Sequence, residues 1–138
     1  MKRLVFVFFI LVGCSTLQTK SINLPVRWVD HPDKKIIEIF VQNKNLKDKT
    51  VCIDSQHWPN YAHKVHYAGE IIHLKVEGQT YAYKQMDTGV CYPKCGEIRI
   101  PDGDTLHGTL RYDDFNLPEN LYSSKKTLVY DLNGTYCR

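Results

Sequence analysis

From Pro32 onward, short β-branched and aromatic runs alternate with turn residues, and this rhythm restricts the fold more than any other feature. Residues 36–41 place Ile37, Ile39 and Val41 on one face of an extended segment, with Ile36, Glu38 and Phe40 on the other. Between Pro32 and the polar stretch 43–49 there is no room for a helix of ordinary length. Residues 50–53, 70–76, 79–84, 97–100, 105–112, 127–132 and 135–137 read as further strands. Glu77-Gly78 reads as a hairpin turn, Asp102-Gly103 as a reversal, and Asn133-Gly134 as a turn splitting the last two strands. Only residues 58–68 have the character of a helical turn. Seven to eight short strands with regularly spaced turns predict an all-β fold, an antiparallel β-sandwich of immunoglobulin-like type. A small closed barrel is the alternative. The absence of a βαβ pattern argues against a parallel sheet.

The first thirteen residues stand apart. Met1-Lys2-Arg3 is basic, and residues 4–12 are unbroken apolar residues. This is the pattern of an export signal, with an apolar core too short to span a bilayer. Leu11-Val12-Gly13-Cys14 resembles a bacterial lipobox. The resemblance implies that Cys14 is acylated and becomes the new N-terminus. Two or three acyl chains would anchor the protein stably. Ser15 after the lipid-bearing cysteine implies an outer-membrane address in a Gram-negative host. The expected organisation is a signal at 1–13, a lipidated cysteine and tether at 14–24, and a sandwich domain at 25–138.

Removing the signal changes the charge. The whole chain has 18 Lys and Arg against 15 Asp and Glu, and the signal holds Lys2 and Arg3 alone. The remainder is 16 against 15, close to neutral, which argues against nucleic acid as a partner. Four cysteines remain beyond Cys14: Cys52, Cys91, Cys95 and Cys137. An even number in an exported chain implies two disulfides, with three connectivities open. The short spacing of Cys91 and Cys95 favours that pair, leaving Cys52 for Cys137. A zinc site is the rival use of the four thiols.

No phosphate loop, nucleophile elbow or zinc-protease motif occurs, and nothing calls for a cofactor. His63 and His66 stand three apart, but no carboxylate or thiolate lies at metal-site spacing, so no metal is expected. The 97–119 stretch holds Glu97, Asp102, Asp104, Asp113, Asp114 and Glu119 against Arg99 and Arg111. Asp113 and Asp114 would face opposite ways on a strand, which suits catalysis poorly. A docking role for the acidic residues fits a basic, cleft-bearing enzyme as partner. Tyr92 and Tyr122, in expected loops, are candidate contact residues beside Asp102, Asp104, Asp113, Asp114 and Glu119. Trp28, Trp58 and Phe115 are expected in the core.

Several segments together carry a second resemblance: residues 36–43, Thr50-Val51-Cys52, Trp58-Pro59, Gly89-Val90-Cys91, Ile100-Pro101-Asp102-Gly103 with Leu106 and Gly108, and Tyr112-Asp113-Asp114-Phe115 with Leu117-Pro118. They are similar to small immunoglobulin-like lipoproteins of Gram-negative bacteria. Some of these resemble immunity proteins for type VI secretion effectors that attack peptidoglycan, including L,D-transpeptidase-like toxins. The resemblance implies a stoichiometric inhibitor in the periplasm, not an enzyme. It assigns no contact residues, because inhibitory loops differ among such proteins. A host-lysozyme inhibitor and a structural lipoprotein of an envelope machine are the alternative functions.

Overall fold

The computed structural model describes residues 20–44, 49–59, 65, 71–84 and 96–137. The architecture is the expected antiparallel β-sandwich. Its described strands are β1 (Ile22–Leu24), β2 (Val26–His31), β3 (Ile36–Gln42), β4 (Val51–Asp54), β5 (Ile72–Val76), β6 (Gln79–Ala82), β7 (Glu97–Ile100), β8 (Thr105–Arg111), β9 (Lys126–Tyr130) and β10 (Leu132–Tyr136). They form three sheets, ordered β1-β10-β4-β7, β2-β3-β8 and β6-β5-β9.

Strand β3 folds as its alternation predicts. Ile37, Ile39 and Val41 are fully buried, while Ile36, Glu38 and Phe40 are only half-buried. Each buried aliphatic contributes roughly 1.5–3 kcal/mol over its exposed state. Cross-strand register carries the inner face outward, with Ile37 opposite Leu110 and Ile39 opposite both Trp28 and Gly108. Trp58 and Phe115 are core residues as expected, whereas Trp28 packs half-buried against that core. The Glu77-Gly78 turn is a two-residue hairpin loop joining Val76 to its partner Gln79. Both loop residues have positive φ, the combination that matches strand twist in such hairpins.

The structure has more strands than the sequence suggests, because β1 and β2 escape a search for apolar alternation. The stretch 14–24, expected to be tether, ends in β1, which pairs with β10. Strand β2 mixes Arg27, Asp30 and His31 with apolar residues, so its periodicity is diluted. The expected turn at Asn133-Gly134 does not form; both lie inside β10. A Cβ on Gly134 would stand 2.8 Å from Val51 Cγ1 and 3.0 Å from both the Cys52 carbonyl oxygen and Leu24 Cδ1. The glycine thus permits close packing rather than a reversal.

The chain instead changes sheet at single residues. Pro25 separates β1 from β2, and Asp131 separates β9 from β10. Beyond these points the β1–β10 register, continued six residues from the Leu24–Leu132 pair, sets Asp30 opposite Lys126. No ladder joins β2 to β9 among the described residues. Side chains close this seam. Lys126 Nζ has no solvent exposure and donates to Asp30 Oδ2 at 3.0 Å, to the Ser124 carbonyl at 3.0 Å and to the Tyr122 carbonyl. It also lies 4.7 Å from the centre of the Tyr112 ring, whose hydroxyl donates to Asp30 Oδ1. Burial, then the bond to Asp30, raises the Tyr112 phenol far above its ordinary range.

Cys52 and Cys137 form a disulfide, as their pairing by elimination anticipates, and it ties β4 to the end of the last strand across 85 positions. The pairing expected for Cys91 and Cys95 falls outside the described residues, as do Cys14, Tyr92, His63 and His66.

Candidate binding surface

The outer face of β2-β3-β8 is built by the same alternation that fills the core. Every second residue of β3 points outward, and antiparallel register sets a partner on each side. The rows are His31–Ile36–Arg111, Val29–Glu38–Thr109 and Arg27–Phe40–His107. Val29 is the exposed large hydrophobic side chain among the described residues, at 47%. Within the neighbouring row, Phe40 stacks on the His107 ring at 4.8 Å with 22° between planes. A shallow hollow of ≈ 620 Å³ runs along this edge, lined in part by Arg27, Val29 and Phe40.

Charge lies within this face as well as at its corners, because Glu38 occupies the middle of the central strand between Val29 and Thr109. His31 Nε2 meets Glu38 Oε2 at 3.1 Å, and Arg111 Nη2 donates to Asp113 Oδ2 at 3.2 Å. Apolar and aromatic side chains interleaved with charged ones offer a protein partner both buried area and directional contacts. Its backbone is held by two hydrogen-bonded ladders, so docking would cost little ordering.

The candidate residues of the acidic stretch do not come together. Asp102 and Asp104 lie before β8, and Asp113 and Asp114 after it. The seven residues of β8 separate them by roughly 20 Å. Strand β8 ends at Arg111, one residue earlier than expected, and residues 112–115 form a 3₁₀ turn. The turn sends the two aspartates to different partners. Asp113 is exposed and bonded to Arg111, while Asp114 accepts from the Tyr83 hydroxyl at 3.2 Å. Burial, then Asp114, raises the Tyr83 phenol well above its ordinary range.

Glu119 is exposed at the same end, and Tyr122 packs its ring on Tyr112 at 5.0 Å. Two lysine-bearing segments from elsewhere join this end through their main chains. The Tyr112 amide bonds to the Lys35 carbonyl, and the Lys84 amide bonds to the Asp114 carbonyl. Lys35 Nζ itself stands 5.3 Å from the Tyr122 ring centre. The carboxylates of residues 97–119 are therefore not gathered in one place.

Two features were missed by sequence reasoning. Asp54 and Glu97 are cross-strand partners beside a pocket of ≈ 320 Å³ that His57 and Thr135 also line. Their separation in sequence hid the pairing, and Asp54 also caps a 3₁₀ turn by accepting from the Gln56 amide at 2.9 Å. Val29 was missed because one exposed apolar residue on a mixed strand has no periodic signal. Among the described residues, no group of three or more His, Cys, Asp and Glu is placed to hold a metal ion. No helix among them is long and apolar enough to cross a membrane.

No protein-family model, curated protein or solved structure matches the chain.

Proposed function

We propose that this chain is a lipid-anchored envelope protein that binds a cell-wall-targeting secreted toxin stoichiometrically and neutralises it by covering its cleft. The observation that carries this reading is the outer face of β2-β3-β8, where exposed Val29 and the Phe40–His107 stack flank the charged Glu38. The lipobox-like Leu11-Val12-Gly13-Cys14 supports the anchor and an outer-membrane address facing the periplasm. The Cys52–Cys137 disulfide suits an oxidising compartment. The resemblance to immunity lipoproteins supports the class of partner. The separation of Asp102 and Asp104 from Asp113 and Asp114 by β8 favours the sheet face over a single acidic patch as the main contact.

The test is protection from a toxin encoded beside this gene. Deleting the gene should sensitise cells, and the wild-type chain should restore growth. Val29→Glu should keep the fold, because an exposed substitution usually moves stability by no more than about 0.5 kcal/mol. It should abolish protection and measured binding to the purified toxin. Unchanged protection by Val29→Glu would remove this face from the mechanism. No sensitivity on deletion, together with no binding to the toxin, would refute the immunity reading. Loss of radioactive fatty-acid label in Cys14→Ala tests the anchor separately.

A further inference from the structure

The outer face of β2-β3-β8 also indicates the charge of what docks on it. Register aligns every second residue of the three strands, so the outward positions form a regular array. His31, Arg111, Arg27 and His107 take its four corners, and Glu38 takes its middle. The two carboxylates at hand already face nitrogen groups. Glu38 Oε2 meets His31 Nε2 at 3.1 Å, and Asp113 Oδ2 accepts from Arg111 Nη2 at 3.2 Å. Arg27 and His107 differ, since neither forms an ion pair or side-chain hydrogen bond with another described residue. Both are exposed.

These two uncommitted donors share one row, on either side of Phe40. Two strand spacings set their backbones roughly 10 Å apart. The hollow of ≈ 620 Å³ lies at the same place, lined by Val26, Trp28, Val29 and Phe40 with Arg27 as its charged member. The complement is an apolar side chain with a carboxylate on either side. A guanidinium offers a carboxylate two parallel donors, and an imidazole N–H donates to it whether or not the ring is charged. A lysine in the same position would meet Arg27 as a like charge and would have to displace His31 from Glu38. Asp102 and Asp104 precede Thr105 and so lie beyond this row, away from Arg27 and the hollow.

We propose that the partner element seated on this face is an acidic protein segment: an apolar side chain fills the hollow against Val29 and Phe40, one flanking carboxylate meets Arg27 and another meets His107. This deepens the toxin-binding reading and rests on it for the role of the face. It reverses the charge that the acidic stretch 97–119 leads one to expect of the partner, because the fold separates those carboxylates.

The probes are N-acetyl-Glu-Glu-Leu-Glu-Glu-amide and its lysine counterpart N-acetyl-Lys-Lys-Leu-Lys-Lys-amide, titrated into the purified full-length chain and followed by amide chemical shifts. The acidic peptide should move the amides of Arg27, Val29, Phe40 and His107 and saturate at millimolar concentration. Replacing its Leu with Ser should weaken it, since the hollow is then left unfilled. Arg27→Gln should weaken binding about two- to fivefold, the size of an exposed ion pair. Glu38→Gln should tighten it by a similar factor, and this opposite sign separates charge recognition from damage to the fold. The proposal is overturned if the acidic peptide leaves those amides unmoved, if the lysine peptide binds as tightly or more so, or if Arg27→Gln has no effect. The titration needs no toxin, so it fails or succeeds independently of the protection assay with Val29→Glu.

Discussion

Replacing Lys126 with Met tests the seam between β2 and β9. Methionine keeps the length and the apolar stem but removes the ammonium. The structure sets the size of the loss. Lys126 Nζ is fully buried and serves Asp30, the Ser124 carbonyl and the Tyr122 carbonyl together. Cutting one partner from a buried ion pair costs about 3–5 kcal/mol. Asp30 tempers the figure, since its side chain is 22% exposed and keeps the Tyr112 hydroxyl. The lower half of the range is expected, about 3 kcal/mol. Domains of this kind have about 5–15 kcal/mol in total, so the change should be large. Urea unfolding followed by tryptophan fluorescence would measure it. Pairing the change with Asp30→Asn closes a double-mutant cycle, and the two costs should fall short of additive by about 0.5–3 kcal/mol. A Lys126→Met loss below about 1 kcal/mol would refute the reasoning, and so would strict additivity, because the seam would then not depend on this pair.

Two other outcomes follow from the same structure. Replacing Cys52 and Cys137 with Ser should cost about 4–5 kcal/mol in the chain-entropy model, given their separation of 85 positions; an unfolding midpoint that does not move would count against it. Stability should also fall as pH rises above about 10. Tyr83, Tyr112 and Tyr130 all have phenols raised by burial, with Asp114 adding to the first and Asp30 to the second. Above the unfolded phenol value the unfolded chain releases protons that the native state retains, so each adds a loss of up to about 1.4 kcal/mol per pH unit. Unfolding curves from pH 8 to 11 would check this, and a flat profile would contradict it.

Features written in local chemistry could be read directly along the chain. Alternation along residues 36–41 sets the inner and outer faces of β3, since side chains on a strand must alternate. Glu77-Gly78 specifies a hairpin because a two-residue loop of that kind needs positive φ. The Cys52–Cys137 pair was legible only through the parity and spacing of the cysteines. Tertiary structure decided the rest, because contacts between distant segments leave no local trace. Gly134 reads as a turn until the neighbouring Val51 and Leu24 show that it makes room. The acidic stretch 97–119 reads as one patch until β8 separates its ends. Asp30 and Lys126 are ordinary charges in the chain. They become a buried pair only because Pro25 and Asp131 break two long strands at matching points and leave side chains to close the gap. The charge total was set by composition, but the surface was set by which segments the fold brought together.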